Sequence, residues 1–146
     1  MINNDEGHEE KLMQPVKVIV KIMTVTKSTN EVYSFFQNMK SLEKGGEISS
    51  LQKSDDGWWT FNHAVTGRSK MKHTNSVAEY GILDHIFVGG GLTWNVFVRT
   101  IPNKDGSTTM WAFEKPDGLT DSQFEEQIKN FDSEIDKWKS ALENCS

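Results

Sequence analysis

The sequence predicts an α+β domain in which a curved antiparallel sheet of about seven strands wraps around one long C-terminal helix. Apolar residues recur at helical spacing through the last quarter of the chain. Short alternating segments separated by turn residues fill its middle, and a capping-box motif precedes a helix on either side of them. A single helix after a run of strands must bury its apolar face against the sheet, so the space between the two decides what the protein can do.

The C-terminal helix is the clearest element. Thr120 is followed three residues later by Gln123, which is the spacing of a capping box, and Asp121 adds negative charge to the first turn. Charged residues fill the intervening positions, so the helix is amphipathic with a narrow, aromatic-rich stripe. The stripe consists of Phe124, Ile128, Phe131, Ile135, Trp138 and Leu142.

The N-terminal part divides into a leader, a strand and two short helices. Residues 1–14 are polar and acidic and are expected to form a disordered leader, followed by a single domain over residues 15–146. The first strand is expected over Val16–Val25, with valines and Ile22 on one face and Lys17 and Lys21 on the other. Ser28, three residues before Glu31, starts a short helix, and a second helical turn follows before a pair of glycines.

Six more strands are expected to form a meander. Their connections have the turn residues Asp55-Asp56-Gly57, Thr66-Gly67, Gly89-Gly90-Gly91 and Asp105-Gly106. The glycine triplet lacks the residues of a phosphate-binding loop and is interpreted as a flexible hairpin that could also act as a gate. The predicted strands are Ile48–Lys53, Trp58–Ala64, Arg68–Val77, Ile82–Val88, Leu92–Ile101 and Thr108–Lys115.

Two hairpin registers follow from the pattern. A three-residue loop over residues 65–67 with Gly67 left-handed pairs Phe61 with Met71 and Trp59 with His73. It places those four side chains and His63 on one face, with Lys70 and Lys72 on the other. A turn at Asp105-Gly106 likewise aligns Trp94, Val96 and Val98 with Thr109, Trp111 and Phe113, although both faces of this hairpin contain apolar groups.

In this order of elements, a helix-grip arrangement, the chain resembles the START-like, polyketide cyclase/dehydrase-like superfamily, which includes birch-pollen-allergen-like proteins. The resemblance extends from about Val16 to Glu143. It implies a helix-grip fold with a cavity for lipid or aromatic ligands. The resembling segments are Val32-Tyr33-Ser34-Phe35-Phe36, Gly81-Ile82-Leu83-Asp84-His85, Trp94 through Arg99, and Trp111-Ala112-Phe113-Glu114-Lys115-Pro116.

Composition limits the possible partners. The net charge is −5 and no basic stripe stands out, so nucleic acid is not an expected partner. The one cysteine, Cys145, excludes an internal disulfide, and no metal site or cofactor is expected. With neither a secretory signal nor a membrane span in the sequence, we expect a cytoplasmic protein that is a monomer or a weak homodimer.

Aromatic residues predict the site. The chain has five Trp and eight Phe, and bulky rings around a gap between sheet and helix suit a largely apolar small molecule. The alternative is that these rings simply fill the interior. The expected ligand-binding residues are Trp59, Phe61, His63, Met71, His73, Trp94, Val96, Trp111, Phe113, Phe124, Ile128, Phe131 and Ile135.

Histidines are the candidate catalytic groups. His63 and His73 are both expected to face inward, where each could act as an acid or base, hold a ligand carbonyl, or be an ordinary buried histidine. Asp84 and His85 must face opposite ways on a strand. The pattern leaves open which of them faces inward.

Arg99 and Glu114 fall on one face of adjacent strands. They form either an exposed ion pair or, if that face is the interior, a polar anchor for a ligand. With no nucleophile motif in the sequence, the first hypothesis is binding or carriage of a small hydrophobic or aromatic molecule. A polyketide cyclase- or dehydratase-like enzyme using a pocket histidine is the second hypothesis, and a protein-interaction module is the third.

Overall fold

The computed structural model describes residues 14–144, so most of the predicted leader lies outside the described residues. The elements are β1 (Val18–Val25), α1 (Thr29–Gln37), a 3₁₀ segment (Met39–Gly45), β2 (Ile48–Lys53), β3 (Trp59–His63), β4 (Gly67–Val77), a 3₁₀ turn (Ala78–Tyr80), β5 (Ile82–Gly89), β6 (Leu92–Asn103), β7 (Gly106–Glu114) and α2 (Asp121–Glu143). The seven strands form one antiparallel sheet in the order β1-β7-β6-β5-β4-β3-β2. The long helix α2 lies across the concave face, which confirms the predicted fold class.

Both predicted capping boxes are present. The Ser28 hydroxyl accepts a hydrogen bond from the Glu31 backbone N–H at 3.2 Å, and the Glu31 carboxylate accepts one from the Ser28 N–H. Thr120 and Gln123 make the same reciprocal pair at the start of α2, at 3.1 and 2.9 Å. These bonds satisfy backbone donors that have no partner within a helix, so they fix where each helix begins.

Strand β1 has the predicted alternation, and its valine face is the convex one. Ile22 is 59% exposed, and the neighbouring valines of this face are also exposed. The lysine face points toward α2, where Lys21 Nζ lies 2.8 Å from Asp132 Oδ1 and Lys17 pairs with Glu125. This edge strand is therefore joined to the helix by ion pairs as well as by apolar contact.

The predicted register of the β3–β4 hairpin is wrong by two residues. The three-residue loop occupies residues 64–66 rather than 65–67, and Phe61 therefore lies opposite Ser69 instead of Met71. Gly67 is left-handed as predicted, with φ +76°. The observed pairs are Trp59 with Met71, Phe61 with Ser69 and His63 with Gly67. A shift of two keeps every side chain on its predicted face, because side chains alternate along a strand with period two.

The β6–β7 hairpin turns at Lys104-Asp105 rather than at Asp105-Gly106, with Lys104 at φ +54°. Val96 pairs with Phe113, and these side chains are buried on the concave face as predicted. The concave side of this hairpin therefore contributes one wall of the interior.

The glycine triplet forms a tight turn. Gly90 and Gly91 have φ values of +60° and +79°, the positive pair that a type I′ hairpin turn requires. A Cβ on Gly89 would lie 2.4 Å from Ser69 Oγ and 2.9 Å from Thr66 Oγ1. The hairpin is therefore in close contact with the β3–β4 loop.

Candidate functional site

A cavity of about 140 Å³ lies between the concave face of the sheet and the middle of α2. The helix contacts the sheet through bulky rings on both sides of it. Near its start, Phe124 packs on Trp94 with ring centroids 5.9 Å apart, and near its end Trp138 stacks on Trp111 at 6.0 Å. Phe124 and Trp138 are separated by about 21 Å of helix, from the rise of 1.5 Å per residue. The cavity occupies the space between these two contacts.

Nine of the thirteen predicted ligand-binding residues line the cavity. Phe131 lies over the floor, 4.8 Å from Phe113 and 5.4 Å from Trp111 between ring centroids. Most of the wall is therefore aromatic or aliphatic, which suits an apolar occupant. The nine are His63, Met71, His73, Trp94, Val96, Trp111, Phe113, Ile128 and Phe131.

The other four predicted residues do not border the cavity. Phe61 and Phe124 are completely buried in the core, and Ile135 is 7% exposed. Trp59 is half-buried at the start of β3, with the Lys53 ammonium 5.9 Å from its ring centroid. Phe61 packs against Phe87 and Phe124 against Trp94, two residues that line the cavity.

The cavity opens between the β3–β4 loop and one face of α2. Val65, which is 54% exposed, and Thr66 lie on the loop side of the opening. Gln127 and Asn130 lie on the helix side. No role was predicted for any of these four residues, because a loop tip and a polar helix position ordinarily face solvent.

His63 lines the cavity with its ring held by backbone donors. Its Nδ1 accepts hydrogen bonds from the Val65 N–H at 3.1 Å and the Thr66 N–H at 3.4 Å. A neutral imidazole that accepts at Nδ1 carries its proton at Nε2. That Nε2 faces α2, where it lies 3.8 Å from Oε1 of Glu134.

Glu134 lines the cavity and was not among the predicted site residues. It is only 6% exposed, and burial raises the pKa of its carboxyl, against the opposing effect of His63. A signal was available, because position 134 is three residues after Phe131 and four before Trp138. That spacing places the carboxyl on the apolar stripe of the helix.

His85 resolves the ambiguity in β5. Leu83, His85 and Phe87 face the cavity, and Asp84 faces the opposite side of the sheet. Burial, followed by the neighbouring His73, lowers the pKa of His85 to about 4, so the imidazole is neutral at neutral pH. Burial also lowers the pKa of His73, whose ring centroid lies 6.5 Å from that of His85. The cavity therefore contains two neutral imidazoles in addition to His63.

The predicted ion pair between Arg99 and Glu114 is wrong, because Arg99 pairs with Asp84. Arg99 Nη1 donates to Asp84 Oδ1 at 2.6 Å, and the Val98 N–H donates to the same oxygen at 2.9 Å. Arg99 and Glu114 project from the convex face, and neither borders the cavity. Neither side chain can therefore anchor a ligand inside it.

The described part of the chain offers no group of three His, Cys, Asp or Glu side chains arranged to hold a metal ion. None of the helices in residues 14–144 combines the length and hydropathy needed to cross a membrane.

Comparison with solved structures identifies the fold. Ara h 8.0201 superposes with a TM-score of 0.68 at 12% identity, over 87% of this chain and 97% of that chain. A conserved protein from Geobacillus kaustophilus gives 0.67 at 12% identity, over 86% and 95%. DynU16, a protein of the dynemicin biosynthetic locus, gives 0.70 at 11% identity, over 89% of this chain and 48% of its own.

These similarities confirm the predicted helix-grip fold, and at such identities they define the fold alone. The sequence matches no family model and none of the curated proteins compared with it.

Proposed function

We propose that this protein binds a small hydrophobic molecule, of about the size of one aromatic ring, between the sheet and α2. The cavity of about 140 Å³ carries the proposal. An apolar protein cavity of about 150 Å³ is large enough to bind benzene. Transfer of such a ring from water into an apolar space is favourable, because it removes apolar surface from water.

The opening supports reversible binding rather than permanent enclosure. A ligand can enter between the β3–β4 loop and α2 without separation of the helix from the sheet, because the fixed contacts at Phe124 and Trp138 lie to either side. The native ligand can be sought by extracting the purified protein with organic solvent and identifying the extract by mass spectrometry.

Filling the cavity is expected to abolish binding. Val98 is 4% exposed and lines the cavity, so Val98→Phe would place a ring in the space that the ligand needs. We expect toluene binding, followed by chemical-shift titration, to weaken at least tenfold. The matched control is Val20→Phe, at a half-exposed position on the convex face, which is expected to bind as the wild type does.

Two outcomes would contradict the proposal. Toluene could fail to bind the wild-type protein, or Val98→Phe could bind it as tightly as the control variant does. Chemical-shift dispersion of each variant shows whether the fold is intact.

A second candidate function, catalysis on such a ligand, is supported by the polar groups on the cavity wall. His63, His73 and Glu134 could each transfer a proton to or from a bound molecule. The roles expected for Arg99 and Glu114 in orienting a substrate are not part of this candidate, because both face away from the cavity. Replacing His63 or His73 by glutamine separates the two functions. If the protein is an enzyme, the variant is expected to lose turnover and still bind the ligand.

A further inference from the structure

We infer that His63 and Glu134 form a binding site for one hydroxyl group, which selects a small apolar ligand bearing that group. The inference rests on the proposed function, since it concerns the same cavity. The two side chains come from opposite walls, His63 from the end of β3 and Glu134 from the middle of α2.

The Glu134 carboxyl is buried and has only a long contact with His63. His63 Nε2 lies 3.8 Å from Oε1, beyond the roughly 2.7–3.2 Å of an ordinary hydrogen bond, although it is close enough for His63 to oppose the effect of burial on the pKa of the carboxyl. A buried carboxyl without a hydrogen bond destabilises a protein, and nearly all such groups in folded proteins have a partner. A polar group on a ligand or a water in the cavity would supply the missing partner.

The His63 ring has a donor that its own loop does not use. Its Nδ1 is occupied by two backbone donors, so the neutral ring presents an Nε2–H toward the cavity. The acceptor that this N–H faces is Glu134 Oε1, 3.8 Å away, which is long for a direct hydrogen bond. One side of the site therefore offers a donor and the other an acceptor.

A hydroxyl oxygen fits both groups at once. Two atoms 3.8 Å apart can each lie at a normal hydrogen-bond distance of about 2.8 Å from a third atom between them. A hydroxyl can accept from His63 Nε2–H and donate to the Glu134 carboxylate, whereas a ketone can only accept. A ligand carboxylate would be repelled by Glu134 and also by Glu47, which acts on the same site electrostatically.

The surroundings suit an apolar body attached to that hydroxyl. Phe87 lies against the His63 ring with centroids 5.7 Å apart, and Phe131 is one helical turn before Glu134. Lys137, on the next turn, partly offsets the negative charge of Glu134 and Glu47. A neutral molecule that is aromatic at one end and hydroxylated at the other matches this arrangement.

Phenol and toluene form a matched pair of probes, because they differ only by a hydroxyl in place of a methyl group. Water solvates phenol better, so an apolar cavity alone favours toluene. We expect the wild-type chain to bind phenol at least as tightly as toluene in chemical-shift titrations at neutral pH. Glu134→Met is expected to reduce that relative preference for phenol at least tenfold. Glu126→Met, at an exposed position on the same helix, should leave it unchanged.

A second variant, His63→Phe, removes the donor and is expected to reduce the preference in the same way, so the test does not depend on one variant folding. The inference is overturned if toluene binds the wild type much more tightly than phenol does, or if folded Glu134→Met keeps the wild-type preference. If neither probe binds the wild type, the proposed function itself fails.

Discussion

Replacing Trp138 with alanine is expected to lower the free energy of unfolding by about 4 kcal/mol, within the range for large aromatic residues removed from a core. Trp138 is 4% exposed, and its indole N–H donates to the Leu42 carbonyl at 3.2 Å. Its ring stacks on Trp111 and meets Phe36 edge to face at 5.4 Å. The variant therefore leaves a cavity and removes the hydrogen bond to the Leu42 carbonyl.

Trp58→Ala is the matched control for this prediction. Trp58 is half-buried, and the ammonium of Lys70 lies 4.4 Å from its ring centroid. An exposed cation–π contact contributes about 1 kcal/mol or less, so we expect a loss of roughly 1 kcal/mol. Urea unfolding of both variants provides the comparison. If both variants lost the same free energy of unfolding, Trp138 would not be the residue that fixes the end of α2.

Acidification from pH 7 to pH 4 is expected to reduce stability by about 3 kcal/mol through His85 alone. Its pKa is lowered from 6.5 to about 4 in the folded protein, chiefly by burial and then by His73. Between these values the unfolded chain binds a proton that the folded protein does not. The stabilisation is therefore complete above pH 6.5 and is lost as the pH falls through 4, at about 1.4 kcal/mol per pKa unit.

His85→Gln is expected to remove this part of the pH dependence, as measured by urea unfolding at both pH values. His73→Gln should remove less of it, because the His85 imidazole, whose pKa is lowered to about 4, remains in that variant. If the free energy of unfolding of His85→Gln falls between pH 7 and pH 4 by as much as that of the wild type, the His85 ring is accessible to protons in the folded state.

The sequence was sufficient to predict the elements and most of the inward faces. Both helix starts were predicted because a capping box is a local motif whose bonds lie within four residues. The pattern did not decide which face of β6 and β7 is concave, because apolar residues such as Phe97 and Met110 alternate with the buried Val98 and Trp111.

The β3–β4 register could not be predicted from facing residues. Pairing Phe61 with Ser69 or with Met71 gives the same inward and outward sets, since the two registers differ by two residues. Only the geometry of the loop distinguishes the two registers, and the residue types at 64–67 do not favour either position of the three-residue loop.

The polar part of the site was only partly predictable. The pairing of Arg99 with Asp84 was not predicted. Asp84 lies on β5, and the sequence pattern of β5 fits equally well with Asp84 facing inward or outward. Glu134 was grouped with the charged residues between the apolar positions of the helix, although it lies on the apolar stripe and is buried. The tautomer of His63 depends on a loop that turns back toward its own ring, which residue spacing does not predict.

The central claim is that an apolar space remains between the sheet and α2, and xenon tests it most directly. Xenon enters dry apolar cavities of this size. Crystals under xenon pressure are expected to show a bound xenon atom in the cavity, whose lining includes Val96 and Ile128. Clear side-chain density that fills this region, with no xenon bound, would contradict the account.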